Sequence, residues 1–151
     1  ILNGLIERSL EIKKSYIEID EFDRNKRQIF NYGHSFGHAI ESLTNYEVPH
    51  GIAVSCGMDM ANFVSVKLGY LQCEIRQEIR ELLEQIWDGY VISNLSIEKF
   101  ANALSKDKKN VGKELRLILC KGYGKLFKTG IQLDRQFIGL LEEYFDKELV
   151  H

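Results

Sequence analysis

Proline occurs once in the 151 residues, at Pro49, and the three cysteines, Cys56, Cys73 and Cys120, form no CxxC pair. An odd number of widely spaced cysteines suits reduced thiols in a cytoplasmic protein better than a secreted disulfide framework. With one proline and twelve glycines, collagen-like and low-complexity readings fail. No apolar run is long enough to span a membrane without a charge, since the longest, residues 51–69, holds Asp59 and Lys67. Excess charge of one sign is also missing: 22 acids against 20 bases leave a net −2, which argues against a global nucleic-acid binder or a basic membrane-surface protein. No GxGxxG loop follows a strand pattern. The first ten residues have no basic stretch ahead of an apolar one, as a signal peptide would, and with no initial Met the chain is expected to be a piece of something longer.

What remains is one domain's worth of globular sequence, 44% hydrophobic and 28% charged. Helical periodicity predicts helices over 2–18, 27–44, 51–68, 74–87, 96–105 and about 134–150. The third is apolar nearly all round, as expected of a helix in the middle of a bundle. In the fourth, Ile75, Ile79, Leu82, Leu83 and Ile86 read as the core face. Ser96 and Asp134 are candidate N-caps. Residues 115–120 and 125–129 flank Gly122-Tyr123-Gly124 and predict a β-hairpin. The fold class is therefore mainly α, a multi-helix domain with one small hairpin.

The informative segment runs from Arg27 to Glu41, RQIFNYGHSFGHAIE. Wound as one helix, it gathers Arg27, Asn31, His34, His38 and Glu41 within an arc of about 80°. Ile29, Tyr32, Phe36, Ile40 and Leu43 fall opposite, as a core face. Gly33 and Gly37 flank the polar ladder, and each costs about 1 kcal/mol against alanine inside a helix. Close approach of a ligand or of another backbone would compensate. Of four histidines, three (His34, His38 and His50) lie within seventeen residues, and His50 follows the Pro49 break. Imidazoles converging from two adjacent helices make a credible site for zinc or a similar divalent ion. Surface or hydrogen-bonded histidines are the bland alternative. A third ligand is open: Glu41, one turn past His38, could serve or could simply be solvated, and a ligand from outside the chain is equally possible.

A second feature is charge. Between Ser105 and Lys128, seven lysines and Arg116 face only Asp107 and Glu114. A solvated loop and hairpin is one reading, and an anion site for phosphate or carboxylate is the other. With only Tyr123 and Phe127 interleaved, a nucleic-acid surface is the weaker reading.

The pattern Arg27-x-x-x-Asn31-Tyr32-Gly33-His34-Ser35-Phe36-Gly37-His38-Ala39-Ile40-Glu41, followed by His50-Gly51-x-Ala53-Val54, resembles the signature of the 3-dehydroquinate synthase family of sugar phosphate cyclases. Lys13, Asp20-Glu21 and Asp107-Lys108-Lys109 share the family's order and spacing, so the resemblance covers nearly the whole chain. It implies a C-terminal metal- and substrate-binding domain spanning 1–151. An N-terminal NAD-binding domain of the same protein, absent from this chain, would supply a further metal-binding Glu. His34 and His50 are then the metal ligands, for zinc or another divalent metal such as cobalt. His38 stands beside the substrate phosphate, whereas helical spacing alone would pair it with His34. Lys13 and Arg27 match residues that hold the substrate carboxylate, and Asn31 one that contacts the substrate near the phosphate and ring hydroxyls. One of Lys108 and Lys109 matches a phosphate-binding lysine. Where the family usually has Glu after His-Gly, this chain has Ile52; its Gly-His-Thr is Gly-His-Ser35, which keeps the hydroxyl.

The implied reaction is the lyase conversion of 3-deoxy-arabino-heptulosonate 7-phosphate to 3-dehydroquinate with loss of phosphate, using NAD, in the shikimate pathway of aromatic amino acid biosynthesis. The implied partners are a phosphorylated sugar acid and the NAD-binding domain, with a homodimer as an option and no nucleic acid or membrane. The chain alone is expected to be inactive. Three alternatives stand beside this: a cyclase making another carbocycle, a metal-dependent alcohol dehydrogenase-like enzyme, and a helical interaction module with a vestigial site.

Overall fold

The computed structural model describes residues 1–22, 26–87, 89–90, 92, 95–106 and 114–149. Lys108 and Lys109, the two candidate phosphate-binding lysines, lie outside the described residues, as does Asp107. The chain forms two compact units, Ile1–Phe30 and Asn31–His151.

The first unit is α1 (Leu2–Ile19) and a following turn. None of the side chains of α1 is buried. Asp20 caps α1 at its C-terminal end, and its Oδ2 accepts from the Arg27 backbone N–H at 3.1 Å. The Arg27 guanidinium in turn donates to the Glu21 carbonyl at 2.9 Å. Tyr16 and Phe30 pack edge to face, 5.0 Å between centroids.

In the second unit, α3 (His50–Lys67) is the central element, packed against α2 (His34–Leu43), α4 (Cys73–Trp87), β1 (Glu114–Cys120) and α6 (Arg135–Lys147). Its burial on every side is what the all-round apolar sequence predicts. α5 (Ile97–Ser105) lies across α2 and α6. β1 pairs antiparallel with β2 (Leu126–Gln132), with Leu117 opposite Thr129. Leu115, Leu117 and Leu119 point from β1 into the core beside Phe36, Phe100 and Tyr144. Both predicted caps form: Ser96 accepts from Lys99 N at 3.3 Å and Asp134 from Phe137 N at 2.9 Å. Among the described residues, no helix is long and apolar enough to cross a membrane. All three cysteines are free, Cys56 and Cys120 buried and Cys73 exposed.

Two expectations change. Residues 27–44 are not one helix: a 3-10 helix covers Lys26–Asn31, Gly33 adopts a left-handed φ of +77°, and α2 begins only at His34. The ladder is thereby cut, and only His34, His38 and Glu41 share a face of α2. The second change is in α4. Leu83 is buried as expected, but its companions inside are Arg76 and Arg80, while Leu82 is 66% and Ile86 51% exposed.

The reason is Asp59, a carboxylate with 0% exposure in the middle of α3. A buried charge needs paired, hydrogen-bonded counterparts. Arg76 supplies two bonds, Nε to Oδ1 at 3.1 Å and NH2 to Oδ2 at 2.9 Å. Arg80 NH1 adds one at 3.0 Å and the Tyr144 hydroxyl another at 2.8 Å. Glu148 accepts from both guanidiniums and balances the second positive charge. Burial alone would ease deprotonation of both arginines, but their bonds to Asp59 and neighbouring carboxylates hold them even more firmly charged than usual. One network thus ties α3, α4 and α6 together.

Candidate metal centre

The site is made by the way α2 and α3 begin and cross. Gly33 turns the chain in a left-handed conformation that few other residues tolerate, so that His34 opens α2. His38 and Glu41 follow at i+4 and i+7, on the same face. Pro49 sits just ahead of α3, with His50 as its first residue. The two helices then approach closely. A Cβ on Gly33 would lie 2.6 Å from the Val54 carbonyl oxygen, and one on Gly37 would lie 3.0 Å from Val54 Cα. Both glycines are therefore explained by the approach of another backbone.

This crossing brings the three predicted histidines together. Ring centroids are 5.4 Å apart for His34 and His50, 5.6 Å for His34 and His38, and 6.0 Å for His38 and His50. The ligand atoms of His38, Glu41 and His50 all lie within 4.8 Å of one another. Two of the imidazoles are anchored. The Nδ1–H of His34 donates to the Tyr32 carbonyl at 3.2 Å, and that of His50 donates to Glu41 Oε1 at 3.1 Å. A proton held on Nδ1 makes Nε2 the nitrogen with the lone pair that a metal takes. His38 touches both neighbouring rings and, among the described residues, makes no hydrogen bond. The donor set fits a divalent ion such as zinc or cobalt: the cluster of His38, Glu41 and His50, with the His34 ring beside that of His50.

Tyr32 is itself held. Its hydroxyl donates to Asn62 Oδ1 at 2.5 Å, inside the core, and burial pushes its ionisation well above the ordinary tyrosine range. Asn31 is half-buried at the end of the 3-10 helix, two residues ahead of Gly33. Lys13 and Arg27 belong to the first unit, Lys13 exposed on α1 and Arg27 half-buried beside Asp20 and Glu21. Of the basic stretch, Lys121 lies over the Phe127 ring at 4.3 Å and near that of Tyr70 at 5.7 Å. Ile52 packs half-buried against the core cluster, an apolar neighbour of the site.

Glu41 is not solvated: its side chain is 11% exposed, against 57% for that of His50. The signal was its place one turn beyond His38, on the face of the two imidazoles. Asp59 and its arginines were not foreseen, although a lone acid within an apolar helix and two arginines four residues apart were there to be read.

The family described as 3-dehydroquinate synthase C-terminal matches residues 1–110. Among curated relatives, a 3-dehydroquinate synthase of Campylobacter jejuni is 35% identical over 147 residues, covering 95% of this chain and 41% of its own length. One from Campylobacter curvus is 40% identical over 147 residues, covering 95% and 42%. One from Helicobacter pylori is 40% identical over 124 residues, covering 82% and 36%. The chain thus spans about two fifths of the length of the relatives it matches. A solved structure of 2-deoxy-scyllo-inosose synthase complexed with carbaglucose-6-phosphate, NAD+ and Co2+ shares the fold at a TM-score of 0.69 and 23% identity, over 82% of this chain and 36% of that one. The chain belongs to the 3-dehydroquinate synthase family, as its C-terminal domain.

Proposed function

We propose that this chain is the metal- and substrate-binding part of an enzyme that converts 3-deoxy-arabino-heptulosonate 7-phosphate to 3-dehydroquinate with release of phosphate, in the cytoplasm. The observation that carries this reading is the pair of anchored imidazoles: His34 and His50 come from different helices and each gives its Nδ1–H to an acceptor. That is the arrangement of metal-ligating histidines. A divalent ion there, together with NAD held mainly by an N-terminal domain outside this chain, supplies Lewis acidity and a transient hydride acceptor for a substrate hydroxyl.

The chain's own residues bind and orient. Lys13 and Arg27 hold the substrate carboxylate by charge-assisted hydrogen bonds. His38, free of hydrogen bonds among the described residues, donates to the phosphate, with Asn31 and one of Lys108 and Lys109 beside it. Much of the rate then comes from orientation, the phosphate being held so that its own oxygens reach the proton lost in its elimination.

Titration calorimetry with zinc or cobalt tests the metal reading. H34A and H50A are expected to abolish binding and H38A to preserve it; the reverse order overturns the assignment. For the substrate, K13A and R27A are each expected to weaken binding of the sugar acid phosphate. Indifference to both would favour a cyclase whose substrate has no carboxylate, a second reading supported by the fold shared with 2-deoxy-scyllo-inosose synthase. Turnover by the 151 residues alone would overturn the division of labour with a separate NAD domain.

A further inference from the structure

The Glu41 carboxylate is nearly buried, yet within the described residues its one side-chain partner is the exposed imidazole of His50. Burying a carboxylate costs free energy unless it is paired and hydrogen-bonded. Glu41 Oε1 meets His50 on the Nδ1 side, at 3.1 Å. The ring's other nitrogen, Nε2, points away from that bond.

We infer that Glu41 is a positioning residue for the metal: it fixes His50 in the Nδ1–H tautomer and locks its ring so that Nε2 meets the ion. This rests on the reading of His34 and His50 as ligands. The competing role is Glu41 as a ligand itself, completing a triad with His38 and His50, whose ligand atoms fall within 4.8 Å of one another. Two observations favour positioning. The carboxylate is engaged in a direct hydrogen bond to Nδ1, which leaves Nε2 as the ring's ligand nitrogen. It is also far less exposed than His50, 11% against 57%, as suits a group that supports the imidazole from the protein side. His34 has the same design with a backbone acceptor in place of the carboxylate, the Tyr32 carbonyl at 3.2 Å.

The test uses this chain with cobalt as metal and spectroscopic probe. E41Q keeps an acceptor for Nδ1–H, whereas E41L is of similar size and has none. E41Q is expected to bind cobalt within about threefold of the wild type and E41L about 10- to 100-fold more weakly. At saturation both are expected to give the wild-type visible absorption bands, because the ligand set is unchanged. Without metal, a long-range proton–nitrogen correlation spectrum is expected to show His50 as the Nδ1–H tautomer in wild type and E41Q, and as a mixture in E41L. Altered cobalt bands in E41Q would make Glu41 a ligand and overturn the inference. Wild-type affinity and tautomer in E41L would overturn it as well. If H34A and H50A both bind cobalt like the wild type, the underlying metal reading fails, whatever the Glu41 variants do.

Discussion

Gly57 and Gly33 face each other so closely that a Cβ on Gly57 would lie 2.1 Å from the Gly33 carbonyl oxygen. The same Cβ would stand 2.8 Å from the Gly37 backbone nitrogen. Backbone atoms cannot swing aside as a flexible side chain can. G57A is therefore expected to destabilise by at least the 1–3 kcal/mol typical of overpacking, about the larger figure or beyond. It should also weaken metal binding, by forcing His34 and His50 apart. Gly139, within α6 with nothing near its missing Cβ, is the control: G139A is expected to stabilise by about 0.5–1 kcal/mol. Thermal and urea denaturation of the two variants checks both signs.

The buried network gives a second test. Removing the Asp59 carboxylate leaves Arg76 and Arg80 short of their shared acceptor in the interior. D59N is expected to cost about 3–5 kcal/mol, a large part of the stability of a domain this size. Urea unfolding followed by circular dichroism measures it.

The two faces of α4 can be told apart by substitution. L82K, at an exposed position, is expected to change stability by less than about 0.5 kcal/mol. L83A, next to it and buried, is expected to cost about 2–4 kcal/mol. Equal costs would mean that the apolar stripe faces inward after all.

Alkaline pH supplies a fourth prediction. Burial raises the Cys56 thiol to about 12 from an ordinary 9.0, and raises Tyr144 well above its ordinary 10.0. Both groups keep their protons in the folded chain after the unfolded chain has lost them. Their contribution is therefore complete below pH 9 and declines above it. Between pH 9 and 12 unfolding free energy is expected to fall with a slope approaching about 1.4 kcal/mol per pH unit from Cys56 alone, and more steeply above pH 10. C56A should flatten the first part of that slope.

Much of this architecture was legible because period and punctuation agree. The bundle, the hairpin around Gly122 and Gly124, the two N-caps and the three converging histidines all follow from local rules. What misled was a face and a break. In α4 the 3.6-residue period was right, but hydropathy puts arginine outside, and only a tertiary partner such as Asp59 reverses that. At Gly33 the helical pattern runs on unbroken, while the left-handed turn is decided by the close passage of α3. Glu41 was ambiguous for the same reason: a carboxylate on a helix is solvated by default until a neighbour such as His50 claims it.

The bare flank of α1 has a consequence for motion. Eighteen residues are wound there without one buried side chain, supported by surface pairs such as Arg8–Glu11 and Lys14–Glu18 and by the Tyr16–Phe30 ring contact. Most helical stability in proteins comes from tertiary packing of an amphipathic face, and α1 buries none of its side chains. Amide protons along α1 are thus expected to exchange with deuterium in seconds, while those in the middle of α3 wait for global opening. The carrier of Lys13 would then sample its helical form as one state among several.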